Sequence, residues 1–276
     1  MQTAPLNEKL LVRDWVGGTA VVALLVLLVL FVGQKRSFDG SPESLFERFL
    51  GTDDRGLQKG LLGQIVATEP NSALGHYANG WIANEGSQFD LSLAEYQRAL
   101  VIDPEFAEAY NGLGVAYLNL GQTDKAISSF ERALKLSPGL LHARINLGLA
   151  YFDRGQFDDA IRENERVLSA NPNIAVVHFN LALAYHNKSE FARAIPHYQE
   201  ALRIDPKLVQ AYFNLALIQQ GKGDKSDALK NYRAFLNAVE GGEQYAEQRL
   251  DAEARIESLE KNLNPSLFGH PSSRQS

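Results

Sequence analysis

Residues 107–138 read AEAYNGLGVAYLNLGQTDKAISSFERALKLSP, and this stretch decides the fold. Tyr110, Leu113, Gly114 and Tyr117 follow the i, i+3, i+4, i+7 spacing that places apolar side chains on one helical face. Gly121 ends that helix, because glycine is the residue least penalised in a left-handed C-terminal position. Ala126, Ile127, Phe130, Ala133 and Leu134 then build the stripe of a second helix, and Ser137-Pro138 stops it, since a residue before proline is pushed out of the α region. The unit is a helical hairpin.

The hairpin recurs. Pro70, Pro104, Pro138, Pro172 and Pro206 stand at intervals of 34 residues, and a fixed period of this length means stacked supersecondary units. In the aligned segments 73–106, 107–140, 141–174, 175–208 and 209–242 the seventh position reads Asn79, Leu113, Leu147, Leu181, Leu215. The eighth reads Gly80, Gly114, Gly148, Ala182, Ala216, and the twentieth Ser92, Ala126, Ala160, Ala194, Ala228. Small residues at these two positions let the two helices of a hairpin approach closely.

The columns resemble the tetratricopeptide repeat, with its order of aromatic, Leu-Gly, Tyr, Ala, aromatic, Ala and Pro at the same period. The resemblance covers 73–242. The first and fifth copies depart most: Ala83 and Gln219 stand where the middle copies have Tyr117, Tyr151 and Tyr185, and Glu240 replaces the last proline. The resemblance implies an all-α fold, a right-handed α-solenoid of about five helix–turn–helix repeats with terminal capping helices. Residues 35–72 read as a linker and degenerate repeat or N-terminal cap, with Leu45, Phe46, Phe49 and Leu50 on one stripe. Residues 243–263 read as a C-terminal capping helix carrying Tyr245, Ala252, Ile256, Leu259 and Leu263, and 264–276 as a disordered tail.

Ahead of the repeats and beyond a tail of residues 1–14, the 20 residues 15–34 carry no charge and contain the run Val21–Val32. As a helix they span ~30 Å, the thickness of a bilayer's hydrocarbon core. Twelve Leu, Val or Phe residues between Val16 and Val32 favour insertion by roughly 4–7 kcal/mol. The run is succeeded by Gly33-Gln34-Lys35-Arg36, with no Ala-x-Ala cleavage pattern, so an uncleaved transmembrane helix is expected rather than a signal peptide. Lys9 and Arg13 before the span nearly balance Lys35 and Arg36 after it. The expected location is a single-pass protein of a bacterial inner membrane with the repeats on the periplasmic side.

Composition narrows the chemistry. A formal charge of −6 argues against nucleic acid as a partner. The absence of cysteine removes thiolate metal sites and thiol nucleophiles. The chain holds no GxxxxGK[ST], HExxH or GxSxG pattern. His178 and His186 lie eight residues apart, too far to share a metal without a third element. No catalytic residue, cofactor or metal is expected, and the protein is read as a non-enzyme.

In the tetratricopeptide family the second, fifth, sixth, ninth, twelfth and thirteenth positions commonly face a concave groove. The resemblance therefore implies a partner-binding groove lined by Tyr77, Trp81, Asn111, Asn146, Phe152, Phe179, Asn180, Leu183, Phe213 and Asn214. The asparagines offer both donor and acceptor to the backbone of an extended peptide; the alternative is that they satisfy local groups. The apolar members suit an apolar or amphipathic segment. Tyr77 and Trp81 stand where chaperone-binding relatives place the Lys and Asn of a carboxylate clamp, which weakens an import-receptor or co-chaperone role. The expected function is a membrane-anchored scaffold or assembly factor for membrane-complex subunits or their precursors. A permanent structural subunit of a large complex is the alternative, and self-association stays open.

Overall fold

The computed structural model describes residues 40–239 and 242–263, which fold into thirteen α-helices and one 3-10 turn with no strand among them. The expected tail 1–14, span 15–34 and C-terminal tail 264–276 lie outside the described residues. Among those described, no helix is long and apolar enough to cross a membrane.

The helices run in consecutive pairs. α1 (Pro42–Leu50) precedes α2 (Arg55–Thr68), α3 (Ala73–Glu85) precedes α4 (Phe89–Ile102), and α5 (Ala107–Asn119) precedes α6 (Thr123–Leu136). Next come α7 (Leu141–Asp153) and α8 (Phe157–Ala170), α9 (Ala175–Asn187) and α10 (Phe191–Ile204), then α11 (Val209–Lys222) and α12 (Lys225–Ala238). The 3-10 turn Glu243–Tyr245 leads into α13 (Ala246–Leu263). The chain divides into two compact units, one ending at Glu163 and the other beginning at Asn164, inside α8.

One turn is used five times. The fifteenth residue of each repeat adopts a left-handed backbone: Ser87 (φ 58°), Gly121 (71°), Gly155 (79°), Ser189 (60°) and Gly223 (88°). The next residue's N–H then reaches back to the carbonyl of the eleventh, as in Gln122 to Tyr117 and Glu190 to Tyr185, both 2.9 Å. This closes the helix end in the six-to-one bond of a Schellman motif. Sequence marks the turn only where glycine occupies it; at Ser87 and Ser189 the hydrogen-bonded frame imposes it against the side chain.

Close approach fills the space between paired helices. An added Cβ at Gly80 would come within 2.9 Å of the Tyr96 ring, and one at Gly114 within 2.5 Å of Phe130. The twentieth residue sits at the same crossing, where Ser92 is fully buried and its hydroxyl donates to the Gly80 carbonyl at 2.8 Å. In the first unit Leu45, Phe49, Leu61, Leu62 and Ile65 of the leading hairpin join Tyr77 and Tyr96 in one core. Leu50, read as part of the α1 stripe, is exposed because the helix ends there at Gly51. In the second unit Ala252 and Leu259 of α13 cover the last hairpin, packing with Tyr232 and Phe235, while Leu263 lies exposed at the helix end.

Two substitutions test this frame by urea denaturation. Gly114→Ala is expected to lower stability by about 1–3 kcal/mol, the usual cost of forcing an extra methyl into a filled space. Ser189→Gly is expected to raise it by up to about 1 kcal/mol by removing the left-handed penalty.

Candidate functional site

The structure corrects the reading of the fifth repeat position. Tyr77, Phe179 and Phe213 are expected from their position to face a groove, yet each ring packs on the tyrosine at position twenty-four of its own repeat. The centroid distances are 5.6 Å for Tyr77–Tyr96, 5.9 Å for Phe179–Tyr198 and 5.8 Å for Phe213–Tyr232. Phe179 keeps only 2% of its surface and Tyr77 6%. A large ring opposite a small eighth residue has a ready cavity beside it, and burying it there is worth ~2–3 kcal/mol. Phe213 is only partly buried although it also meets Phe235 at 5.2 Å.

The asparagine column is corrected in part. Asn146 donates its amide to the Asn111 side chain at 2.9 Å, so these two spend a donor and an acceptor on each other. Asn214 is likewise buried, at 3% exposure. Asn119 and Asn84 make a further bridge between consecutive repeats, at 3.1 Å. Asn180 differs: it is 7% exposed and its amide nitrogen is buried without a partner. Leu183, one turn further along α9, is half-buried.

The remaining residues fall into place around these. Trp81 is half-buried and meets Phe49 edge-on at 5.8 Å. It lines an open hollow of about 540 Å³ together with Arg55, Lys59, Ile82, Glu85 and Gln88. Arg55 is paired with Glu85 at 2.5 Å across this hollow. Phe152 meets Phe157 at 5.3 Å with the rings tilted by 58°, on the far side of its own turn, and stays half-exposed. The first unit thus gathers Tyr77 and Trp81 around Phe49, and Asn111 with Asn146. The second gathers Phe179, Asn180 and Leu183 on α9, and Phe213 with Asn214 on α11.

Two polar columns escaped the sequence reading. The fourth residue of a repeat meets the twenty-third across the hairpin: His76 bonds Glu95 at 2.7 Å, Arg144 bonds Glu163 at 2.9 Å, and His178 meets His197 at 3.0 Å. The eleventh residue also reaches back to the preceding repeat, Tyr151 to Glu131 and Tyr185 to Glu165, each at 3.0 Å. Burial, then the carboxylate bond, pushes both phenols up to about 12, so each stays a neutral donor across the physiological range. Both columns show as constant separations of 19 and 20 residues, a spacing no helical period suggests.

Among the described residues no cluster of three or more metal-ligating side chains occurs. The geometry defines a helical-hairpin repeat protein, a class whose exposed first-helix faces receive other molecules. Family models of the tetratricopeptide repeat match residues 145–208, 107–140, 82–121 and 197–230. Between 82 and 230, therefore, the chain is built of tetratricopeptide repeats. Among solved structures, a crystal structure of MamA is 28% identical, with a TM-score of 0.54 over 60% of this chain and 97% of its own. PilF of Pseudomonas aeruginosa is 20% identical, with a TM-score of 0.61 over 76% of this chain and 97% of its own. YrrB, described as a repeat protein of this kind with an unusual peptide-binding site, is 19% identical, with a TM-score of 0.52 over 66% and 93%. No curated protein matches the chain.

The contrast within the asparagine column is measurable. Asn146→Ala is expected to cost about 0.5–1.5 kcal/mol, the net worth of a hydrogen bond. Asn180→Ala is expected to be neutral or stabilising, because it removes a buried donor that gains nothing in the free protein. Equal losses in urea denaturation would refute the distinction.

Proposed function

We propose that this chain is a membrane-anchored scaffold whose first-helix faces bind an extended or amphipathic segment of a partner protein. The observation that carries this reading is Asn180, whose amide nitrogen is buried and unpaired. Leaving such a donor unsatisfied costs roughly 1–3 kcal/mol, and a turn of the side chain toward the surface would let the carbonyl of a bound segment remove that cost. Leu183 beside it offers apolar surface. The partner is a protein of a membrane complex or a precursor of one, and nucleic acid is disfavoured by the charge of −6. A repeat fold of this kind typically serves as a non-enzymatic interaction platform.

The anchor is residues 15–34, whose uncharged length suits one crossing of the bilayer. Anchoring confines the binding face to the membrane and raises its effective concentration for partners there. The repeats stand on the periplasmic side of a bacterial inner membrane in this reading.

Affinity capture with the detergent-solubilised full chain should recover a defined partner set. Asn180→Leu combined with Leu183→Ser should reduce recovery about tenfold, a loss of ~1.4 kcal/mol. Undiminished recovery would remove α9 from the binding face. Deletion of residues 1–34 should release the protein from carbonate-washed membranes, and a chain that stays bound without them would refute the anchor. A His270→Cys variant should react with a membrane-impermeant thiol reagent added from the periplasmic side, and protection there would reverse the orientation.

A further inference from the structure

The fourth-to-twenty-third column holds an ion pair between Arg144 and Glu163 in the third repeat and a His–Glu pair in the first, but two histidines in the fourth. The protons on these rings can be assigned from their partners. His178 Nε2 lies 2.9 Å from the Pro172 carbonyl, which only accepts, so that nitrogen carries a hydrogen. Arg144 makes the same bond to the Pro138 carbonyl at 2.8 Å, which shows it to be a feature of the repeat. In the neutral His178 ring Nδ1 is then bare, and it accepts from His197 Nδ1–H at 3.0 Å.

We propose that the His178–His197 contact is an acid-labile joint between α9 and α10. A first proton leaves the bond intact whichever ring carries it, because the Nδ1 of the other ring can still be the bare acceptor. A second proton puts hydrogen on both Nδ1 atoms, so it replaces an N–H···N bond with two N–H groups and two positive charges facing one another. Single protonation is tolerated. Double protonation drives the rings apart.

The groups around the pair set the range. Tyr185 of α9 stacks on His197 at 5.7 Å, and Arg193 of α10 lies over the Tyr185 ring at 4.0 Å. Glu165 of α8 and Glu200 of α10 supply negative charge, but Glu165 accepts from Tyr185 and Glu200 is held by Arg203 at 2.7 and 2.8 Å. Burial, then His178 and Arg193, holds His197 below the ordinary histidine range despite those carboxylates. The unfolded chain therefore takes up the proton near pH ~6.5, whereas the folded chain resists it. The joint's contribution is complete above about pH 6.5 and is lost as the pH falls below it. Asn180 and Leu183 ride on α9, so acid should also weaken the proposed binding face. That consequence rests on the functional reading above; the joint itself does not.

Hydrogen exchange of the full chain, corrected for intrinsic rates, tests the joint without a partner. Between about pH 7.5 and about pH 5, amides of α9 and α10 should lose roughly tenfold in protection, a change of ~1.4 kcal/mol. Those of α7 and the Arg144–Glu163 contact should not. His197→Glu installs the partner that His76 has, and should abolish or reverse the acid loss, because a carboxylate favours protonated His178. His197→Gln, which cannot titrate, should flatten the dependence. Unchanged protection of α9 and α10 in the wild type would overturn the proposal. So would the same acid loss in both variants, or one spread evenly over all hairpins.

Discussion

The structure depends on the crossing where, in four of the five repeats, an aromatic ring at position twenty-four lies over a small residue at position eight. Gly114 beneath Phe130 shows how tight it is, with room for hydrogen but not for a methyl group. Close packing of this kind fixes the distance between paired helices, and from that distance the other contacts follow. Position five can reach the same ring, position four can reach position twenty-three, and position twenty can disappear into the seam. Gly112 carries the constraint further: an added Cβ there would meet the Tyr96 hydroxyl end at 2.4–2.8 Å, so one hairpin's ring also sets the approach of the next.

Because four of the five crossings keep an aromatic ring, with buried Asn164 taking its place in the third repeat, the polar positions beside them are free to vary. In one column the fold accommodates a His–Glu pair, an Arg–Glu pair and a His–His pair, all at the same separation. The backbone frame is the same in each case, and the chemistry differs in what a proton does to it. A carboxylate welcomes the charge on a neighbouring histidine, whereas a second imidazole tolerates one proton and rejects two. The tyrosine–glutamate links work independently of this, since their phenols remain neutral.

Binding competence and structural economy pull on the same asparagines. Most of that column is absorbed by the fold, through the Asn146–Asn111 bond and the burial of Asn214. Such internal pairs lock neighbouring helices together and leave less hydrogen-bonding capacity for a partner. Asn180 is the exception, and its buried amide marks where stability has been left incomplete. In the proposed function, that spare donor is the one a bound segment would satisfy.

The 34-residue proline lattice, the two stripes per period and the small residues at positions eight and twenty determined the helical-hairpin fold from sequence alone. Each is a local or periodic signal: a proline disfavours helix at the residue before it, and a stripe needs only the helical pitch. The glycine turns were legible for the same reason, whereas Ser87 and Ser189 took the left-handed conformation only because the surrounding hydrogen bonds required it. The candidate site was legible as a set of helix positions but not as a set of exposed side chains. Whether Phe179 meets a partner or Tyr198, and whether an asparagine is spent or spare, depends on a second helix 19 residues or more away in the chain. Only tertiary packing brings that helix to its distance, and so only the folded structure decided it.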